Sequence, residues 1–316
     1  ASDIKDRFQR DGFVFPIDVM DSAEAAAYRA RLEAAETAFP DLVNAKTCLR
    51  RYPNLVLPFV DEISRLPAVT DAVAAILGED LLALDCPFFI KEAGTDDFVS
   101  WHQDGNYWGL SCHEVVTAWI ALSPSTVESG CMKMMPGSHE WDGVEHEDTF
   151  DEDNLLTRGQ VMKRKIDEEA TSNIVVQPGS ISLHHVNIAH ASAPNYSDDR
   201  RIGVAMRYVT PRVRQVTGVP DTATLVRGEY NAEAFELEPA PAFDFEPAAV
   251  ALHESEFKER QLKVVAKRTN VQGHGKGGKG GKGGKGGKGF GKGGKGFGKG
   301  GGWYGGGKGG GKGKGY

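Results

Sequence analysis

The sequence predicts a mainly β domain, an antiparallel barrel or sandwich with helices packed on its outside, followed by a tail of different character. Helical patterns come first along the chain. Short strand-like segments bounded by Gly, Pro, Ser or Asp follow them. The composition then changes abruptly near Gln272.

The first helix is expected over 22–38, where Asp21-Ser22 is a capping signal ahead of "AEAAAYRARLEAAETA". "LPAVTDAVAAILGED" predicts a second, ending at Gly78. From about 80 to 211 the texture is β: "LLALDCPFFIKEA", "VVTAWIALS", "CMKMMPGSH", "NIVVQPGSISLHH" and "RRIGVAMRYVTP" are rich in β-branched and aromatic residues. The acidic interval 140–172 is too long for a hairpin turn, and such insertions serve as lids or substrate-binding loops. Residues 212–270 form a proline-spotted extension with one helix expected in "AAVALHESEFKERQLKVVAKR".

Residues 273–316 comprise 27 Gly, 11 Lys, five aromatics and one His, leaving 26 Lys+Arg against 44 Asp+Glu in residues 1–272. A body near −18 and a tail near +11 lie behind the formal net charge of −7. The acidic body argues against nucleic acid as the partner of the folded part, and favours a small or cationic substrate. Proline-free, period-slipping and almost without apolar surface, the tail 272–316 is expected to be disordered. Its lysines, interleaved with Phe290, Phe297, Trp303, Tyr304 and Tyr316, suit nucleic acid or another anionic surface. Cys48, Cys86, Cys112 and Cys131 form no Cys-x-x-Cys pair and read as ordinary thiols. No stretch reads as a signal peptide or approaches the ~18 apolar residues of a membrane span, so a cytoplasmic location is expected.

In "WHQDGNYWGL" a His and an Asp stand two apart, His102 and Asp104. On a strand both would project to one face, two-thirds of a 2-His-1-carboxylate iron site, with Gln103 pointing away. His146-Glu-Asp148 has the same spacing, but it sits in a charged interval with no expected strand, and we discard it as a ligand pair. A third ligand must come from His184, His185 or His190.

His-Gln-Asp, then "TAWIALSPSTVESGCMKMMPGSH", then Pro-Gly-Ser, His-x-x-x-x-His-Ala-Ser, Asn and Arg-Arg resemble the phytanoyl-CoA dioxygenase family, from "RFQRDGFVF" to about Pro211. The resemblance implies a double-stranded β-helix (jelly-roll, cupin-like) core at about 80–211 within an oxygenase domain over 1–271. It implies Fe(II), with 2-oxoglutarate as co-substrate and O2, ascorbate supporting turnover. His190 maps onto the metal ligand and His185 onto a non-ligand, with Ala191 in place of the usual glycine and Ser180 in place of the usual aspartate. Arg201, eleven residues after His190, maps onto the cation for the distal carboxylate of 2-oxoglutarate, a task suited to a guanidinium fork. Ser192 would add a hydroxyl donor there.

The implied reaction hydroxylates a C–H bond of a small metabolite and releases succinate and CO2, and the carboxylate at Asp104 marks a hydroxylase and not a halogenase. Trp119 is either barrel core or a contact to the co-substrate. Lys91, a charge inside the apolar "FFIKEA", either helps bind the co-substrate or sits on an edge strand. Trp101, Tyr107 and Trp108 would line a substrate pocket and hold an alkylammonium by cation–π contact, or merely exclude water. A faint further likeness points to aminoalkylphosphonate hydroxylases. The reading from another class is a non-catalytic β-barrel that binds anionic polymers through the tail.

Overall fold

A computed structural model describes residues 2–43, 48–216, 218 and 221–255. The Gly/Lys tail, and the helix expected at 248–268 beyond residue 255, lie outside the described residues; 247–255 are helical. In chain order the elements are α1 (Ser2–Asp11), β1 (Phe13–Asp18), α2 (Ser22–Ala38), α3 (Pro58–Ser64), α4 (Pro67–Leu77), β2 (Leu81–Ala83), β3 (Phe88–Lys91), β4 (Val99–His102), α5 (Gly105–Trp108), β5 (Val115–Ala121), β6 (Met132–Met134), β7 (His146–Asp148), β8 (Gln160–Met162), β9 (Ser172–Ile174), β10 (Ser180–His185), β11 (His190–Ser192), β12 (Arg201–Val209), β13 (Thr222–Arg227) and β14 (Glu236–Leu237).

The helical signals act as expected. The Asp21 carboxylate accepts the Glu24 N–H at 2.8 Å while the Glu24 carboxylate accepts the Asp21 N–H at 2.9 Å, a reciprocal cap that satisfies two donors at the start of α2. Gly78 ends α4 at φ +98°, a conformation that costs glycine little.

The strands form two facing sheets of a double-stranded β-helix. The larger has the order β1-β10-β5-β12-β2-β13-β14, with β3 also paired to β12; the smaller is β4-β11-β6-β9. Both are open, so of the barrel or sandwich expected the chain forms the sandwich. Alternation along the central strands assigns each face. Val116, Ala118 and Ile120 of β5 and Ile202, Val204 and Met206 of β12 pack outward in one core with Leu32, Phe59 and Val73 of the helices. Trp119, Ala121 and Ala205 point inward and pack on Met132, Met134 and Ile174 of the smaller sheet. Each fully buried apolar side chain of this kind contributes roughly 1.5–3 kcal/mol, and the period of two leaves the same strands free to aim polar residues between the sheets.

Two regions differ from expectation. The extension after Arg212 supplies β13 and β14, which lengthen the larger sheet through a parallel pair; its signal was the short alternation in "DTATLVR", outweighed by the surrounding prolines. The acidic interval contains a two-stranded hairpin, β7 with β8, so His146 and Asp148 lie on a strand and not in an irregular solvated loop.

Candidate active site

The metal-ligand candidates converge where the two sheets meet. Cross-strand register between β4 and β11 places His102 opposite His190, with ring centroids 4.0 Å apart. The strand ends at His102; Asp104 follows in helical conformation as the cap of α5, so the two do not share a strand face as expected. They meet nonetheless, His102 Nε2 lying 3.5 Å from Asp104 Oδ1. Gln103 points away: its amide donates to the Asn187 and Ser138 carbonyls, pinning the turn. One donor atom from each of His102, Asp104 and His190 lies within 4.8 Å of the others.

The second contacts of the imidazoles orient them. His102 Nδ1 lies 2.8 Å from the Ser100 carbonyl and His190 Nδ1 lies 3.0 Å from the Ile188 carbonyl. A carbonyl only accepts, so each Nδ1 carries the proton and each Nε2 presents a lone pair to the shared space. Burial, with the neighbouring His102, pushes the His190 imidazolium well below its ordinary range. Burial opposes the Asp104 charge, but the neighbouring His102 and His190 imidazoles and the Arg207 guanidinium outweigh it and hold the carboxyl below its usual range. Neutral imidazole and ionised carboxylate are the forms that bind a divalent cation. His146, the discarded candidate, accepts the Gln103 N–H at Nε2 (3.1 Å) and so buttresses the turn.

The inner face of the larger sheet supplies a second polar set. Register puts Arg201 beside Lys91, and these are 1% and 0% exposed. The Arg201 guanidinium donates to the Gly130 carbonyl and lies 5.5 Å from the centroid of the Trp119 ring, while its Nε has no partner. Burial lowers Arg201 to about 10 and, with the Arg201 charge added, lowers Lys91 to about 6. Lys91 donates to Ser192 Oγ at 2.8 Å and to the Ala193 carbonyl. Ser192 accepts there, which leaves its own O–H to donate. Trp119 fits because residue 203 is glycine: a Cβ there would stand 1.8 Å from the indole. Arg200 faces out, paired with Glu36 and Glu92, and Asp199 is taken by Arg29, so neither joins Arg201 inside the sheet.

One inner pocket runs from His102, Asp104 and His190 to Arg201 and Ser192, with Thr117, Trp119 and His184 in its wall. Thr117 Oγ1, His184 Nδ1, Arg201 Nε and Arg207 Nε are buried without partners among the described residues. Orphans of this kind are rare in folded proteins, and their concentration on one wall fits a polar guest. Thr117 and Arg207 were missed in the sequence, and His184, one of the three histidines weighed as third ligand, lines this pocket outside the donor cluster. The alternation that turned Arg201 inward in "RRIGVAMRY" also turns Arg207 inward, and that of "TAWIAL" pairs Thr117 with Trp119.

A larger cavity of about 400 Å³ opens from His102 and Asp104 outward, lined by Tyr107 and Trp108 and by Leu156, Thr157, Arg158 and Gln160 of the acidic interval. Trp101 lies elsewhere. Strand alternation turns it away from His102, its indole N–H donates to Glu168, and it packs on Met162, Ile166 and Ala189. Tyr107 and Trp108 already carry cations: the Arg158 guanidinium is 4.9 Å from the first ring and that of Arg207 is 4.6 Å from the second.

Comparisons with known proteins agree with this architecture. A non-heme monooxygenase, ThoJ, shares 34% identity in its apo structure, with a TM-score of 0.76 over 84% of this chain and 99% of its own; its nickel complex shares 32% identity at a TM-score of 0.70. CytC3 with Fe(II) and alpha-ketoglutarate, 21% identical over 78% of this chain and 95% of its own, has a TM-score of 0.57 and attests the fold. A probable alpha-ketoglutarate-dependent hypophosphite dioxygenase of Stutzerimonas stutzeri is 26% identical over 151 residues, 47% of this chain and 52% of that protein. The chain thus spans about half the length of the first curated relatives it matches. Residues 8–203, which run from α1 into β12 and include every donor of the His-Asp-His cluster, match the phytanoyl-CoA dioxygenase (PhyH) family as a whole, and the chain belongs to that family.

Proposed function

We propose that the protein is an Fe(II)- and 2-oxoglutarate-dependent dioxygenase that hydroxylates a C–H bond of a small molecule, with His102, Asp104 and His190 as the metal ligands. The observation that carries this reading is a single buried pocket with a His-Asp-His donor cluster at one end and Arg201, without a carboxylate partner among the described residues, at the other. Bound iron with 2-oxoglutarate would supply O2 activation coupled to release of succinate and CO2. The chain's own groups do the rest. Arg201 binds the distal carboxylate with its guanidinium fork, and Ser192, fixed by Lys91, donates its hydroxyl to the same group. Trp119 keeps water from that end, packed among Met132, Ala205 and Ala121. His102, Asp104 and His190 would hold the ion through three donors and leave it open to co-substrate and O2. The larger cavity, which meets the same His102 and Asp104, is where the substrate sits, and Tyr107 and Trp108 wall it.

The test is succinate formation from 2-oxoglutarate by the full chain with Fe(II) and ascorbate, across a panel of small acids, amines and neutral molecules. Substrate-dependent succinate in step with a product heavier by one oxygen supports the reading. Absence of 2-oxoglutarate binding to the metal-loaded protein contradicts it.

A further inference from the structure

Arginines outnumber carboxylates in the lining of the larger cavity. Arg50, Arg51, Arg158 and Arg207 all line it, within a folded body whose sequence is net acidic. Three aspartates share this wall, and Arg158 also pairs with Asp148 at 3.3 Å. Asp104 belongs to the donor cluster. Asp85 accepts the Tyr52 N–H at 2.8 Å and the Cys86 N–H at 2.9 Å and pairs with Arg207 at 3.2 Å. Asp221 accepts from the Gln215 amide and the Thr222 N–H, both at 3.1 Å.

Arg50 is the informative member. It is half-buried, its guanidinium lies 4.2 Å from the centroid of the Phe89 ring, and it donates to the Phe88 and Leu155 carbonyls. Among the described residues no carboxylate oxygen lies within 4.0 Å of it. Burial lowers its pKa to about 10, and the positive charges of Arg207, Arg51 and Arg201 act in the same direction. A guanidinium held over an aromatic ring, lining a cavity and crowded by other cations, is stabilised by an anion and destabilised by a cation. The same stacking uses the aromatic faces. Arg158 covers a face of Tyr107, Arg207 a face of Trp108 and Arg50 a face of Phe89, which are the surfaces an alkylammonium would need. The rings and cations together make a wall suited to an apolar body that ends in an oxyanion.

We propose that the substrate carries a carboxylate or phosph(on)ate group, bound in the larger cavity by Arg50 with Arg51 and Arg158, so that the carbon to be oxidised is directed at His102 and Asp104. This replaces the cationic substrate expected from overall charge, because four arginines against three aspartates line the cavity, and Arg50 has no carboxylate partner among the described residues. The proposal rests on the dioxygenase reading above for its orientation, though the oxyanion site itself does not need a metal.

The test uses the full chain with saturating 2-oxoglutarate, which occupies Arg201, once with Mn(II) as a redox-inert ion and once metal-free. Binding of propionate, benzoate and phenylphosphonate is measured by calorimetry at constant ionic strength against propionamide, benzamide and benzylamine. At least one acid should bind ten times more tightly than its amide and than the amine, and Arg50→Gln should weaken that acid at least fivefold while 2-oxoglutarate binding is unchanged. Arg158→Gln gives the same comparison if Arg50→Gln fails to fold. Carboxylate and phosphonate arms identify which oxyanion fits. Equal binding of acids and amides, preference for the amine, no acid binding, or acid binding unaffected in both variants overturns the proposal. Loss of Mn(II) and 2-oxoglutarate binding with the acid preference intact overturns the metal-site reading instead.

Discussion

Arg200 and Arg201 are chain neighbours with opposite surroundings. Arg200 makes half-exposed pairs with Glu36 and Glu92, and such pairs contribute ~0–1 kcal/mol. Arg201 is buried beside Lys91 and faces the inner pocket. Arg201→Ala should therefore raise the 2-oxoglutarate concentration needed for half-saturation at least tenfold while iron still binds, and Arg200→Ala should leave it within twofold. The reverse pattern would mean that the strand register is wrong by one. Lys91 gives a second test at this scale. Burial, with the Arg201 charge, pushes its ammonium down to about 6, against ~10.4 in an unfolded chain. Between these values the unfolded chain holds a proton that the folded chain lacks, so this lysine makes stability rise with pH through that window and contributes no slope below it. In urea unfolding, any advantage of Lys91→Met over the parent should be larger at pH 6.5 than at pH 8.5. An advantage of the same size at both pH values would show that Lys91 stays charged in the folded protein.

Among the elements, the central strands were legible because period-two alternation and burial coincide: "VVTAWIA" and "RIGVAMRYV" are one strand each, and their inward rows include Trp119 and Arg201. The HQD turn was less so. Local spacing suggested an extended pair, but the strand stops at His102, and tertiary hydrogen bonds from Gln103 to Asn187 and Ser138 bring Asp104 into place. No sequence pattern encodes that contact. The arginine wall was invisible for the same reason, since Arg50, Arg158 and Arg207 are far apart in sequence and meet only through the fold. The interval 140–172, whose Leu156–Gln160 segment walls the larger cavity, is proposed to close over bound substrate. Limited proteolysis within it should slow several-fold when Mn(II), 2-oxoglutarate and a binding acid are all present. Identical cleavage in both states would make it a fixed wall.

At the scale of the molecule, every proposed ligand lies upstream of residue 205, and among the described residues no helix is long and apolar enough to cross a membrane. Removing residues 273–316 should leave metal and 2-oxoglutarate affinities within twofold. The eleven tail lysines should instead govern retention on a heparin column, which weakens steeply with salt and is lost in the truncated chain. Undiminished retention of the truncated chain would place the anionic-surface contact in the acidic body. The central claim is that His102, Asp104 and His190 form one iron site. Anaerobic Fe(II) titration in the presence of 2-oxoglutarate measures it most directly: the parent chain and His146→Ala should each bind one Fe(II) per chain, and His102→Ala, Asp104→Ala and His190→Ala should each lose at least a hundredfold in affinity. Full binding by any of those three, or equal loss in His146→Ala, would contradict it.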